Sequence, residues 1–377
     1  MQPLAVTGIG SVSPLGIGRE ALFAGLAAGQ PAFSDNEVLE GERYAGASVA
    51  QVRGFDAATY LGKKGLRNFD RLTKMLIVSA KHALEDAGIK RDGEFVALRD
   101  DRVGVCSATA YGSLDSITEI NRVAELEHPR FMNPSRFPNT VINSAAGYVS
   151  IWEGLRAPNV TIVDGNCGPL DAVLTADTHL ACGRADALLV GGGEVLSEPL
   201  FLAFQKLSAE TRLGEGAAFL VLERAHSARE RGAHVLAEVL GFGASFEPPP
   251  SRGALLHASG RALQLAVAAA LEDAGTAPGE IDLVISSEGG LPGMSSGEAA
   301  GLAQCLPEVP VVAPKQLWGE NFAASGALAM AAAVAYLNGT EPAPMLRGSA
   351  PSECRRVLVT SLGFYGNVSA VVLRASG

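Results

Sequence analysis

The sequence has few charged residues, few aromatic residues and no excess of basic side chains. Of its 377 residues, 19% are charged and 6% are aromatic, and the net charge is −10 at pH 7. A chain with this acidic balance offers no basic surface to a phosphate backbone, so nucleic-acid binding is not expected. The hydrophobic fraction of 47% is typical of a globular protein with enough apolar material for a large core.

Cysteines are also scarce, and their spacing pairs none of them. The five cysteines form no CxxC motif, so the sequence predicts neither a zinc site nor a dithiol redox site. An odd number of scattered cysteines is typical of a reducing compartment. The first residues lack the charged-then-apolar plan of a signal peptide. The longest smooth apolar run, residues 326–337, is shorter than the roughly 20 residues of a membrane span. We therefore predict a cytoplasmic protein with no membrane span.

What the sequence does contain is a repeat. The six residues ALEDAG occur at 83–88 and again at 270–275, about half the chain apart. Each copy ends a stretch with helical spacing of apolar residues and precedes an apolar run typical of a buried strand. These matches indicate an internal duplication. We predict two halves, residues 1–240 and residues 241–377, which alternate strands and helices in an α/β sandwich.

One stretch of the first half has the plan of a nucleophile turn. NVTIVDGNCGPLDAVLTA, residues 159–176, reads as a buried strand, a tight turn and the start of a helix. The N-terminus of a helix favours negative charge and lowers the pKa of a thiol placed there. The turn holds Asn166 and Cys167 side by side, so the sequence predicts a candidate site at this point.

Further segments extend the pattern along the chain. They are, in order, VTGIGSVSPLG, NPSRFPNTVINSAAGYVSIWEGLRAPN, GRADALLVGGGE, GEGAAFLVLE and SLGFYGN. Together they resemble the blocks of the β-ketoacyl synthases, a family of the thiolase superfamily, over nearly all of the chain. The resemblance implies a thiolase-like fold, a duplicated α-β-α-β-α five-layer sandwich, and an obligate dimer. It implies no cofactor and no metal.

The resemblance also implies where the active centre should be. The family uses a cysteine at a buried helix N-terminus and two histidines. Asn166 stands at the cysteine position, Glu288 at the first histidine position and Glu320 at the second, after a retained Lys315. An amide is not a nucleophile for a Claisen condensation, and a carboxyl group donates a hydrogen bond to a carbonyl only when it is protonated. We therefore expect a site that is degenerate at all three catalytic positions.

Among relatives, such a site is most like that of a nucleophile-less chain length factor. The resemblance then implies an active ketosynthase as the heterodimer partner, and an acyl carrier protein that is contacted through the complex. The acyl tunnel would be shaped by Tyr111, Phe137, Ile142 and Phe364. Of these, Tyr111 is aligned with the position that ends the acyl pocket.

Two other functions remain open from the sequence. In one, Cys167 acts with Glu288 or Glu320 in a different acyl transfer or hydrolysis. In the other, the chain is a free-standing homodimeric acyl-binding protein. We expect Cys167 instead to pack as a small buried residue under the turn, because free cysteine is among the most buried residue types. We also expect Glu288 and Glu320 to face each other across the old cavity, with Lys315 close by.

Overall fold

Continuous apolar runs form the central strands, and Ala-rich segments form the helices that pack on them. The computed structural model describes residues 1–39, 41–44, 46–208, 210–254, 256–291 and 293–377. In these residues the strands are β1 (Leu4–Ser13), β2 (Gly16–Ile17), β3 (Ser34–Asp35), β4 (Ser48–Val49), β5 (Lys90–Arg91), β6 (Glu94–Phe95), β7 (Val103–Ala108), β8 (Asn159–Ile162), β9 (Ala187–Glu194), β10 (Gly216–Arg224), β11 (Ala237–Phe246), β12 (Leu283–Ile285), β13 (Val311–Val312), β14 (Met345–Arg347), β15 (Arg356–Leu362) and β16 (Asn367–Ala375). The α-helices are α1 (Arg19–Ala28), α2 (Ala57–Leu61), α3 (Arg71–Asp86), α4 (Leu114–Arg122), α5 (Ser144–Glu153), α6 (Gly168–Ala181), α7 (Glu198–Leu207), α8 (Ala225–Glu230), α9 (Gly260–Asp273), α10 (Ser295–Cys305), α11 (Lys315–Trp318) and α12 (Ala323–Leu337).

The two halves of the chain have the same sheet topology. The first half has the strand order β1-β10-β9-β7-β8, and the second repeats it as β11-β16-β15-β12-β13. In each half the first two pairings are antiparallel and the next two are parallel. Strands β1 and β11 pair with each other and join the halves. The duplication predicted from the sequence therefore extends to strand order and direction.

The repeated ALEDAG segment performs the same structural task in both halves. Its aspartate accepts a hydrogen bond from the first strand of its own half: Ile9 N donates to Asp86 at 2.8 Å, and Phe242 N donates to Asp273 at 3.0 Å. Each of these strands has a β-bulge just before the bonded residue. A backbone N–H that a bulge removes from the sheet pairing needs another hydrogen-bond acceptor. The aspartate at the end of the helix supplies this acceptor.

Glycine lets each of these helices lie directly on its strand. A Cβ on Gly10 would stand 1.9 Å from the Ser79 carbonyl oxygen of α3, and a Cβ on Gly243 would stand 2.1 Å from the Ala266 carbonyl oxygen of α9. No side chain fits in that space. The close approach explains why both first strands carry glycine at the matched position.

The layers follow from these contacts. Helices α3 and α5 cover the outer face of the first half-sheet. Helix α9 covers the outer face of the second, with α10 packed against it. Helices α6 and α12 pack together between the two half-sheets. The run 326–337 lies in α12, whose residues are all buried in this middle layer. Among the described residues, no helix is long and apolar enough to cross a membrane.

This arrangement is the predicted five-layer sandwich. The division into residues 1–240 and 241–377 stays a prediction, and strand β11 runs across that boundary. The fold brings the N-terminus of α6, the start of α12 and the β15–β16 connection to one place. The candidate site lies there.

Candidate functional site

Asn166 lies at the turn between β8 and α6. The turn is a short 3-10 segment, Gly165–Cys167, and Asn166 is 1% exposed. Its Nδ2 donates to the carbonyl oxygen of Leu362 at 3.2 Å. Its Oδ1 has no hydrogen-bond partner within the described ranges. The amide at the predicted nucleophile position is thus tied to β15 of the other half.

Cys167 points away from the cavity and into the core. Its Sγ lies 3.3 Å from the Ser361 carbonyl oxygen and 3.6 Å from that of Asn367. Burial raises the pKa of the thiol, and the nearby carboxylates of Asp171 and Asp164 raise it further. Both acceptors are backbone carbonyls, which cannot take up the proton as a base does. The geometry is that of a small buried residue under the turn, as we expect from the sequence, and its role stays a prediction.

Asn166 shares one small cavity with Glu288 and Glu320, the glutamates at the two predicted histidine positions. The cavity is about 10 Å³, which is room for roughly one water molecule. It is formed by Asn166, Ser287, Glu288, Gly289, Leu291, Met294, Ser295, Glu298, Lys315, Glu320, Leu362 and Phe364. The structure therefore brings together three positions that are far apart in the sequence.

Glu320 forms a buried ion pair inside this site. The Lys315 Nζ lies 2.5 Å from Glu320 Oε2, and the two side chains are 5% and 1% exposed. Glu320 Oε1 accepts a hydrogen bond from the backbone N–H of Phe322 at 2.9 Å. The carboxylate is thus satisfied on both oxygens, and the lysine charge is neutralised by a direct neighbour.

Glu288 lies at the mouth of the same cavity and differs from Glu320 in its surroundings. It is partly buried, and burial raises the pKa of its carboxyl group. It makes no ion pair with the part of the chain that the structure describes. The two glutamates line one cavity, as expected, but it is burial rather than the charge of Glu320 that shifts the pKa of Glu288.

The sequence did not reveal a third buried carboxyl group, that of Glu298. It accepts hydrogen bonds from Ser286 Oγ at 2.8 Å, from Ser287 N at 2.9 Å and from Thr360 Oγ1 at 2.6 Å. Burial raises its pKa. The available signal was weak: Glu298 follows Gly297 in a run of small residues, where a helix can press its backbone against a neighbour.

A group of four aromatic rings connects this cavity to the predicted tunnel end at Tyr111. The Phe364 and Phe322 ring centroids are 5.7 Å apart, and those of Phe322 and Tyr111 are 5.3 Å apart. Phe204 contacts all three rings. We call these four residues the aromatic cluster. Phe204 and Phe322 were not identified from the sequence. Burial raises the pKa of the Tyr111 hydroxyl.

The other two predicted tunnel residues are largely open to solvent in the single chain. Phe137 is 63% exposed and Ile142 is 40% exposed. Ile142 lies beside the residue after Tyr111, because a Cβ on Gly112 would stand 2.9 Å from Ile142 Cδ1. Phe137 has no ring contact with the aromatic cluster among the described residues. The tunnel role of both residues stays a prediction.

The comparison with known families agrees with this fold. The N-terminal domain of the β-ketoacyl synthases matches residues 1–228, and their C-terminal domain matches residues 236–348. The chain therefore belongs to the β-ketoacyl synthase family.

Individual relatives include a ketoacyl synthase beta subunit and a 3-oxoacyl-(acyl-carrier-protein) synthase. The chain is 30% identical to the tetracenomycin polyketide synthase ketoacyl synthase beta subunit of Streptomyces glaucescens, and the alignment covers 100% of this chain and 99% of that one. It is 31% identical to 3-oxoacyl-(acyl-carrier-protein) synthase 2 of Vibrio cholerae, over 86% of this chain and 83% of the relative.

Solved structures show the same fold at lower identity. The ishigamide ketosynthase/chain length factor matches with a TM-score of 0.89 at 21% identity, over 100% of both chains. A type II polyketide synthase acyl-carrier protein in complex with its ketosynthase bound to the hexaketide matches with a TM-score of 0.85 at 23% identity, again over 100% of both chains. These matches confirm the predicted thiolase-like fold.

Proposed function

We propose that this chain is a ketosynthase-like subunit without condensing activity of its own. It pairs with an active ketosynthase and shapes the acyl tunnel, as a chain length factor does. The observation that carries the proposal is the single cavity shared by Asn166, Glu288 and Glu320. The three positions that hold the family's reactive groups meet there, and none of them carries the group that condensation requires.

Each replacement acts against a specific chemical step. Acyl transfer to the enzyme needs a nucleophile at the turn, and an amide nitrogen is not one. Stabilisation of the thioester oxygen needs hydrogen-bond donors, and an ionised carboxylate only accepts. Decarboxylation of a malonyl group builds an enolate, which a nearby carboxylate repels. Lys315 is the cation that offsets this repulsion, and Glu320 already binds it.

The space inside the chain supports the same proposal. A cavity of about 10 Å³ has no room for an acyl chain. The aromatic cluster fills the region between Asn166 and Tyr111 with the protein's own side chains. A growing chain would therefore approach Tyr111 from the partner's side of the tunnel rather than from this subunit's own turn.

The comparisons support the assembly that we propose. Similar proteins include a ketosynthase beta subunit and a ketosynthase/chain length factor. Another similar structure holds an acyl-carrier protein in complex with its ketosynthase. We propose that an acyl carrier protein likewise serves the complex of this chain with its ketosynthase. No observation favours the Cys167 alternative, since its buried thiol faces backbone carbonyls.

The test compares the pure chain with the chain co-expressed with an intact Cys-His-His ketosynthase, preferably one encoded beside it. We expect a one-to-one complex on size-exclusion chromatography, and condensation of malonyl groups on acyl carrier protein only when both chains are present. The pure chain should neither decarboxylate malonyl groups nor form a covalent acyl adduct. Robust turnover by the pure chain, or failure to bind any such ketosynthase, would show that the proposal is wrong.

A further inference from the structure

Glu194 is a buried carboxyl group that plays no part in the chemistry above. It ends strand β9 and is 1% exposed. The backbone N–H of Ala110 donates to its Oε2 at 2.6 Å, and the Thr109 hydroxyl donates to its Oε1 at 3.2 Å. The N–H groups of Tyr111 and Gly112 also favour its charged form. One side chain thus accepts hydrogen bonds from two successive residues of a single short loop.

This loop, residues 109–112, carries the predicted tunnel residue. We call it the Tyr111 loop. Its first and last residues are tied together, because Gly112 N donates to Thr109 Oγ1 at 3.0 Å. Thr109 also donates its N–H to the Ile162 carbonyl oxygen at 3.1 Å. The loop therefore closes around the Glu194 carboxyl group, and β8 holds its other side.

The position of the Tyr111 ring depends on this closure. Gly112 has a φ of +64°, a conformation that returns the chain sharply towards α4. The tyrosine at the apex then directs its ring onto Phe322 and Phe204. Without an acceptor beneath the loop, the partly buried N–H of Ala110 would lose this partner, and the loop would have to move to find another.

We propose that Glu194 is the positioning residue for Tyr111: it holds the Tyr111 loop closed and so sets where the ring stands in the tunnel. The consequence is that Glu194 influences chain length through Tyr111, and this consequence rests on the proposed function. The positioning itself is a property of this chain alone. It is therefore tested separately from the role of Tyr111.

A carboxyl group suits this place better than an apolar side chain of the same size. It offers two acceptor oxygens to donors that arrive from successive residues. Burial raises the pKa of Glu194 to about 8, although its hydrogen bonds lower it in part. A protonated carboxyl group keeps acceptor capacity, so glutamine retains part of this function whereas leucine retains none of it.

The experiment follows Tyr111 directly in the full chain. Fluorotyrosine labelling gives one fluorine NMR signal for each of the six tyrosines, and Tyr111→Phe assigns the relevant one. We expect Glu194→Leu to shift the Tyr111 signal by more than its linewidth and Glu194→Gln to restore most of the wild-type position. Glu238 on β11 has another buried carboxylate, which pairs with Arg229 and Arg374. The matched control is Glu238→Leu, which removes that carboxylate. It should leave the Tyr111 signal in place.

An unchanged Tyr111 signal in Glu194→Leu, or an equal shift in Glu238→Leu, would overturn the proposal. If Glu194→Leu does not fold, Thr109→Val decides the matter, because it removes the hydroxyl that links Glu194 to Gly112 and keeps the side-chain shape. An unchanged signal in that variant is also contradictory. In the complex with an active ketosynthase, Glu194→Leu should change the product lengths as Tyr111→Ala does. If the signal moves but neither variant changes the products, Glu194 positions Tyr111 and the tunnel role of Tyr111 is wrong.

Discussion

The buried ion pair between Lys315 and Glu320 should be one of the most sensitive points of the fold. Glu320→Gln keeps the size of the side chain and removes its charge. At 2.5 Å and an effective dielectric constant of about 20, the gross attraction is on the order of 7 kcal/mol. The net loss is smaller, because the pair also bears a desolvation cost. Leaving one partner charged and buried typically costs about 3–5 kcal/mol. We expect a loss of about 3 kcal/mol in the free energy of unfolding.

Urea unfolding followed by circular dichroism measures this loss as a lower midpoint with an unchanged slope. The matched control is Glu353→Gln, which removes the same charge from an ion pair with Arg355 whose side chains are 65% and 74% exposed. It should leave the midpoint almost unchanged, because an exposed ion pair is screened by solvent and contributes little to stability. The double variant Lys315→Met/Glu320→Leu should be more stable than Glu320→Gln, because it leaves no unpaired charge. If Glu320→Gln and Glu353→Gln were equally mild, the buried pair would not have the strength that we assign to it.

Four other results are expected. Asn166→Cys should not restore condensation by the pure chain, because both histidine positions still carry glutamate; product formation in a carrier-protein assay would contradict this. Iodoacetamide should label the exposed Cys182 in the native protein and leave Cys167 unmodified, as peptide mass spectrometry would report. Tyr111→Ala should cost about 3 kcal/mol if its cavity stays empty, and with an active partner it should lengthen the products by one or more two-carbon units; an unchanged distribution with an intact complex would place the tunnel end elsewhere. Burial chiefly raises the pKa of Asp171 to about 7, so the native state holds a proton that the unfolded state has lost, and this group lowers stability as pH rises from about 4 to 7. Asp171→Asn should flatten that part of the pH–stability curve measured by urea unfolding.

The sequence was informative about the fold because its signals are local. The ALEDAG repeat combines a helix end, a left-handed cap and a strand contact within a few residues, and the same aspartate–strand hydrogen bond recurs in both halves. The order of apolar strands and helices then follows from periodicity. Even the Ala-rich run 326–337 is explained by its place in α12, since small side chains let the middle layer lie close to both half-sheets.

The residues of the site could be predicted only in part from the sequence, for a physical reason. Asn166, Glu288 and Glu320 stand in motifs that can be aligned, so their convergence was expected. Glu298 and Glu194 are isolated acids on elements whose other residues look ordinary, and their burial depends on partners distant in the sequence. Glu298 is bonded to Thr360, and Glu194 is bonded to Thr109. No local sequence pattern predicts a hydrogen bond between residues so far apart in the chain.

The aromatic cluster was missed for a related reason. Phe322 adopts a φ of +48°, which a bulky residue rarely does, at the start of α12. This backbone directs its fully buried ring onto Phe204 and Phe364, which come from two other segments. In the sequence, each of these phenylalanines taken alone is interpreted as an ordinary core residue. Only the assembled fold shows that their rings together occupy the space between the turn and Tyr111.

The candidate site is built around one buried lysine. Lys315 is buried at 4% exposure, so removing every anion around it would leave a costly unpaired charge. Glu320 supplies that anion and also accepts the N–H of Phe322, which helps to hold the unusual backbone there. Glu320 therefore stabilises the start of α12. Because α12 packs on both half-sheets, its start links the stability of the fold to the shape of the site. Under the function that we propose, this link is a reason for the chain to keep the site well ordered.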